Sequence, residues 1–254
     1  MAASTGTDGA GAEANPSSRG FGWFPPTHWS VVIEAGKDSS PGALEAFGRL
    51  YEAYRPALVA FLRFRGTTED EATDLVQGFF ESLLEKKRLG KLHPTGQFRS
   101  WLLVCLKRYL SDLWDKRKAQ KRGADQPHLP LGQDADKGEL DLPYSGRTPD
   151  QEFDRAFALR FVELVMAHLE EDYAARGKSH LYQQLHPWLL DKKGSMPQAQ
   201  VAQHLGMSEA AVNKEVSRLR ARYRDLFDGE LGKLVASPAE IEAEKRLLFA
   251  ALLV

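Results

Sequence analysis

The feature that most constrains the fold is apolar residues recurring at intervals of three and four, in several long runs. Leu44, Phe47, Leu50, Tyr51, Tyr54, Leu58, Phe61 and Leu62 form one such stripe. That spacing puts the apolar side chains on one face of a 3.6-residue helix. A second run starts at Thr68, with Glu71 three residues on, and continues through Leu75, Val76, Phe79, Phe80, Leu83 and Leu84. The Thr/Glu pair is a capping box, in which each side chain bonds the other's backbone N–H. After a Gly- and Pro-containing loop, Leu89 to Gln97, a third run covers Phe98, Trp101, Leu102, Cys105, Leu106, Tyr109, Leu110 and Leu113. Helical spacing resumes at Phe153, then over Leu181 to Leu190 and Pro197 to Phe227; Ser237-Pro238-Ala239-Glu240 reads as a final helix start. No alternating strand pattern and no repeat of fixed period is present, so the expected class is all-α.

The expected organisation is two helical domains joined by a flexible linker. Residues 1–20 hold almost no large apolar side chain and read as a disordered tail. Residues 21–122 form the first domain. Residues 123–152, with Pro127, Pro130, Pro143 and Pro149, read as linker. Residues 153–228 form the second domain and 229–254 a C-terminal extension with a short helix. Cys105 is the only cysteine, which rules out an internal disulfide and suits a reducing compartment. There is no apolar signal segment and no run of about 18 apolar residues, so a cytoplasmic location without membrane spanning is expected.

Charge is the more informative signal for function. Lys plus Arg total 34 against 35 Asp plus Glu, so the whole chain is no polycation. Between Lys86 and Arg122, however, twelve basic residues face only Asp112 and Asp115. Phe98, Trp101, Tyr109 and Trp114 are interleaved with them, and cations plus stacking rings suit single-stranded nucleic acid. Helical phasing also puts Phe98, Trp101 and Tyr109 largely on the buried side, so the same rings serve a core.

The second informative segment is Pro197 to Ser208, followed by a helix from Glu209. Ala202 is small where two helices cross, Gly206 supplies a turn, and Ser208 caps a helix with inner face Ala211, Val212, Val216 and Leu219. Its outer face carries Asn213, Lys214, Ser217, Arg218, Arg220, Arg222 and Arg224. Asn can pair with adenine edges, and Lys or Arg with guanine or phosphate, so this helix-turn-helix pattern suits a major groove. Catalytic motifs are lacking: there is no His-Glu-x-x-His, Gly-x-Ser-x-Gly or Walker-type loop, and His180 and His186 fall on different helix faces. No enzyme activity, cofactor or metal is expected.

Asp74-Leu75-Val76-Gln77-Gly78-Phe79-Phe80, then Phe98-Arg99-Ser100-Trp101-Leu102, a basic helix, a linker and a helix-turn-helix resemble a bacterial RNA polymerase sigma factor of the extracytoplasmic-function type. Leu44 to Arg122 is similar to the family's region two and Phe153 to Leu226 to its region four, while Phe24 to Val32 looks like the start of a divergent subgroup. The resemblance implies a subunit of core polymerase. Asp70, Asp74, Leu75, Gln77 and Phe80 would bind the β′ clamp coiled coil, with the β subunit a further contact. Lys91, Arg99, Trp101, Lys107, Arg108, Lys116 and Arg117 would hold the melted minus-ten strand of promoter DNA. Ser208, Asn213, Lys214, Ser217, Arg218 and Arg220 would read the minus-thirty-five duplex. An anti-sigma or other regulatory partner is a further implication. Glu215 stands where the family usually carries a Lys-Ser-Arg run, which implies an altered duplex preference. With the extra tail, it also points to an alternative: a sigma-derived interaction protein that binds polymerase or another regulator without initiating transcription.

Overall fold

The computed structural model describes residues 29–37, 41–93, 97–121, 146–189, 197–235 and 237–253. The expected tail, residues 1–20, and the linker residues 123–145 lie outside them. The described residues are all-α, with helices α1 (Trp29–Ala35), α2 (Pro41–Phe64), α3 (Glu69–Glu85), α4 (Phe98–Lys121), α5 (Pro149–Ala175), α6 (Ser179–Leu185), α7 (Gln198–Leu205), α8 (Glu209–Leu234) and α9 (Ile241–Leu253).

Local chemistry sets the helix starts. The capping box of α3 forms as expected: the Glu71 N–H donates to Thr68 Oγ1 at 3.3 Å and the Thr68 N–H to Glu71 Oε2 at 3.2 Å. Glu69, Asp70 and Glu71 then complement the positive end of the helix dipole. A second capping box, absent from the sequence reading, opens α5. Gln151 N–H donates to Thr148 Oγ1, Thr148 N–H to Gln151 Oε1, and Pro149 occupies the first turn. Residues 149–152 are therefore helical rather than linker, because a proline in a first turn sacrifices no intrahelical bond. Ser237 departs from expectation too: its hydroxyl contacts Glu240 and makes no cap bond, and a 3₁₀ turn, Pro238–Glu240, leads into α9.

Two hydrophobic cores result. The first gathers α1 to α4 around Leu50, Tyr54, Leu58, Phe61, Phe79, Phe98, Leu102 and Leu106. Leu44, expected in the α2 stripe, is instead exposed; it lies at the shallow groove where α1, the start of α2 and the end of α3 meet. The N-terminal half of α5 enters this same core, with Phe157 stacked on Tyr54 at 5.5 Å and 11°. Phe227, Leu231 and Leu234 of α8 and Leu248 of α9 complete it. The second core joins the end of α5 (Leu169, Tyr173) to α6, α7 and the first half of α8 (Val212, Val216, Leu219). The expected boundary at residue 152/153 thus separates residues that pack together. α5 has 27 residues, about 40 Å at 1.5 Å each, which is long enough to serve both cores.

Polar ties hold the second core to α5. Arg222 forks onto Asp172, with Nη2 to Oδ1 at 2.7 Å and Nε to Oδ2 at 3.2 Å; this charge-assisted pairing holds the Asp172 carboxyl below its usual range. The Tyr182 hydroxyl donates to the Met166 carbonyl at 3.3 Å, and burial pushes that phenol up to about 12.

Candidate nucleic-acid interface

On α3, Asp70, Asp74 and Gln77 are exposed, and the positions i, i+4 and i+7 align them along one face. Ala72, Val76, Phe79, Phe80 and Leu83 are buried on the other. Phe80, expected to touch a partner, is therefore a core residue, edge-on to Phe47 at 5.6 Å and Tyr51 at 5.2 Å. Its helical phase matches Val76 and Leu83 rather than Asp74. Leu75 is half-buried against the first core. Gly78 sits where α4 comes close: a Cβ there would lie 2.7 Å from the Tyr109 hydroxyl.

The basic residues of α4 divide into two sets. Lys91, on the 3₁₀ turn ahead of the helix, and Arg108 and Lys116 on α4 itself are exposed. Trp101 is half-buried and stacked on Phe98 at 5.5 Å. The Arg117 side chain lies outside the described residues. Arg99, expected on a DNA-facing surface, is instead 5% exposed. Its Nη1 is 2.7 Å from Glu244 Oε1 of α9, its Nε 3.5 Å from Asp154 Oδ1 of α5, and its guanidinium lies over the Phe157 ring at 5.5 Å. It follows the apolar Phe98 and precedes Leu102 and Leu103, so α9 and α5 close over it. Two turns on, Lys107 Nζ contacts Asp150 Oδ2 at 2.6 Å.

Asp150, Asp154 and Glu244 were not singled out in the sequence. A signal existed for Glu244: it occupies the packed stripe of α9, Ile241, Glu244, Leu248, Ala251 and Leu252. An acid at an apolar-stripe position asks for a buried cation. Burial raises both Glu244 and Asp154 above the usual carboxylate range, against the lowering effect of Arg99.

α7 ends at Gly206 in the left-handed conformation (φ 61°), where a side chain would be strained. Ser208 then caps α8, accepting from the Ala211 N–H at 3.3 Å. Ala202, Val212, Val216 and Leu219 are buried and Ala211 half-buried, as the spacing requires. Asn213, Lys214, Ser217 and Arg218 are exposed, along with Ser208. Arg220 is not on this exposed face: its Nε and Nη2 both donate to the Trp188 carbonyl, at 3.2 and 2.7 Å, because its turn of α8 points toward the 3₁₀ turn His186–Trp188 that follows α6. Glu215, whose side chain is only 13% exposed, pairs with Arg218, so its charge is largely answered within the helix.

Among the described residues no group of His, Cys, Asp and Glu could hold a metal ion, and no helix is long and apolar enough to cross a membrane. Cys105 is buried and its thiol pushed up by that burial, which disfavours a nucleophilic thiolate. No protein-family model matches the chain, and no curated protein or solved structure matches it either.

Proposed function

We propose that this chain is a cytoplasmic sigma-type initiation factor of the extracytoplasmic-function kind, which binds core RNA polymerase and directs promoter recognition without catalysis of its own. The observation that carries the reading is α3: Asp70, Asp74 and Gln77 project from a helix whose reverse side is fully committed to a core. An acidic strip on a rigid scaffold suits docking to the coiled coil of the β′ clamp wherever that coil presents cations to it. Lys91, Arg108 and Lys116 supply cations for the phosphates of an unpaired strand, and Trp101 supplies a ring for stacking. On α8, Asn213, Lys214, Ser217 and Arg218 occupy the exposed first turns beyond a Ser-capped start, the part of a recognition helix that meets base edges.

Run-off transcription with purified core polymerase over genomic fragments tests the reading. New start sites that share two spaced upstream elements are the expected result. Replacing Asp74 and Gln77 together by Ala is expected to weaken core binding by about tenfold, a loss of roughly 1.4 kcal/mol. Unchanged core binding would remove the α3 surface from the proposal. The alternative, a sigma-derived interaction protein that does not start transcription, is favoured by the engagement of Arg99 and Lys107 within the chain itself. Stable core binding with no new start site would select it.

A further inference from the structure

Two of the α4 cations assigned to nucleic acid, Arg99 and Lys107, are already held by three carboxylates from the C-terminal half: Asp150 and Asp154 of α5 and Glu244 of α9. The order runs in reverse along the two helices, Arg99 with Asp154 and Lys107 with Asp150, so one turn of α5 faces the first half of α4. Glu244, 3% exposed, seals Arg99 from the α9 side.

As a pure staple this cluster is poorly made. Arg99 Nη1 reaches Glu244 Oε1 at 2.7 Å without the alignment of a full hydrogen bond, and Nε stands 3.5 Å from Asp154 Oδ1. Buried ion pairs with incomplete hydrogen bonding recover little of their desolvation cost, and well-packed apolar residues serve stability as well or better. The rest of α9 packs along one face: Ile241, Ala251 and Leu252 flank Leu248, Phe249 stacks on Phe227 at 5.6 Å and Lys245 pairs with Asp228 at 2.7 Å. Leu248 is its one buried apolar residue among those described, while Leu247 (47%), Phe249 (49%) and Leu253 (88%) are substantially exposed. Its tie to α4 is the Glu244–Arg99 pair, the contact that a competing anion would have to replace.

We infer that α9 and the start of α5 form an autoinhibitory clasp: their carboxylates stand where phosphates would bind α4, and single-stranded nucleic acid engages Arg99 only after α9 lifts. The inference rests on the reading of α4 as a nucleic-acid surface and adds its regulation. With the clasp closed a strand meets the exposed Lys91, Arg108 and Lys116; opening it adds Arg99 to those phosphate contacts, so loosening the clasp tightens binding.

The test uses the full chain, wild type and Glu244→Gln, with a fluorescently labelled mixed-sequence single-stranded DNA oligonucleotide as the probe. Glu244→Gln keeps the side-chain shape and removes the charge. It is expected to bind about tenfold more tightly. The plot of log affinity against log salt is also expected to steepen by about 0.7, the increment for one more phosphate contact on a single strand. A merely structural role for Glu244 would leave that slope unchanged. If the variant fails to fold, hydrogen exchange on the wild type decides: saturating oligonucleotide is expected to speed exchange across Ile241–Leu253. Equal affinity and slope, or oligonucleotide bound with α9 fully protected, overturns the clasp, as does absence of binding by both proteins. Run-off transcription separates the two proposals: new start sites with an unaffected oligonucleotide affinity sink the clasp alone, and a Glu244→Gln gain without any start site sinks the initiation reading alone.

Discussion

α4 and α8 are both basic helices, yet they present their charge in opposite ways. In α8 the first turns are open: Asn213, Lys214, Ser217 and Arg218 face outward, and the inward-turning cations, Arg220 and Arg222, come later and tie the helix to the 3₁₀ turn His186–Trp188 and to α5. In α4 the first-turn cation Arg99 is buried under α9 and Lys107, although exposed, is ion-paired to α5, while Arg108 and Lys116 face outward. Charge density along a sequence therefore says where cations are concentrated, but packing decides which of them can meet a ligand.

The sharpest way to break that contrast is to remove what closes α4. Phe157→Ala withdraws the ring that stacks on Tyr54 and underlies Arg99, and is expected to destabilise the chain by about 4 kcal/mol in chemical denaturation. A loss below about 1 kcal/mol would mean that α5 is not integral to the first core. Glu244→Ala leaves Arg99 buried with Asp154 alone, and a loss of about 3 kcal/mol is expected by the same measurement. On the α8 side, Arg222→Ala breaks the fork to Asp172. That pair is partly solvated, so about 1 kcal/mol is expected, seen as a small drop in the unfolding midpoint.

Acidity sharpens the comparison because the two regions titrate in opposite senses. Glu244 and Asp154 are raised by burial, so the folded chain keeps protons that the unfolded chain has released. Their stabilising contribution is complete below the ordinary carboxylate values and declines as pH rises through the raised ones. Asp172 is lowered by Arg222, so its contribution is present above the ordinary value and disappears as pH falls through the lowered one. Urea midpoints followed across the acid range are expected to show a smaller first decline in Glu244→Gln, where Asp154 is still raised, and a smaller second one in Arg222→Ala, where Arg176 still faces Asp172; unchanged profiles would remove these groups as the cause. The smallest effect expected is Lys214→Ala, under about 0.5 kcal/mol, because that side chain is exposed on α8. A larger loss would place Lys214 in a structural role like that of Arg220.

Much of the architecture was legible from residue spacing. Thr68 and Glu71 announce the start of α3, and Gly206 with Ser208 announces the turn into α8, because capping and left-handed backbone depend on residues only three or four apart. The exposed line of Asp70, Asp74 and Gln77 follows from the same periodicity. Phe80 was misplaced even so, because a residue type that suits an interface also suits a core, and only its phase relative to Val76 and Leu83 separates the two.

The sequence by itself determined the helical class, the starts of α3 and α8 and the inner faces of those two helices, all of which are governed by interactions within a few residues. Tertiary structure alone decided that α5 serves two cores, that Arg220 holds Trp188, and that Arg99 is enclosed by Asp154 and Glu244. Those contacts join residues 32 to 145 positions apart. Helical periodicity gives which face of each helix is apolar, but not which other helix will cover it.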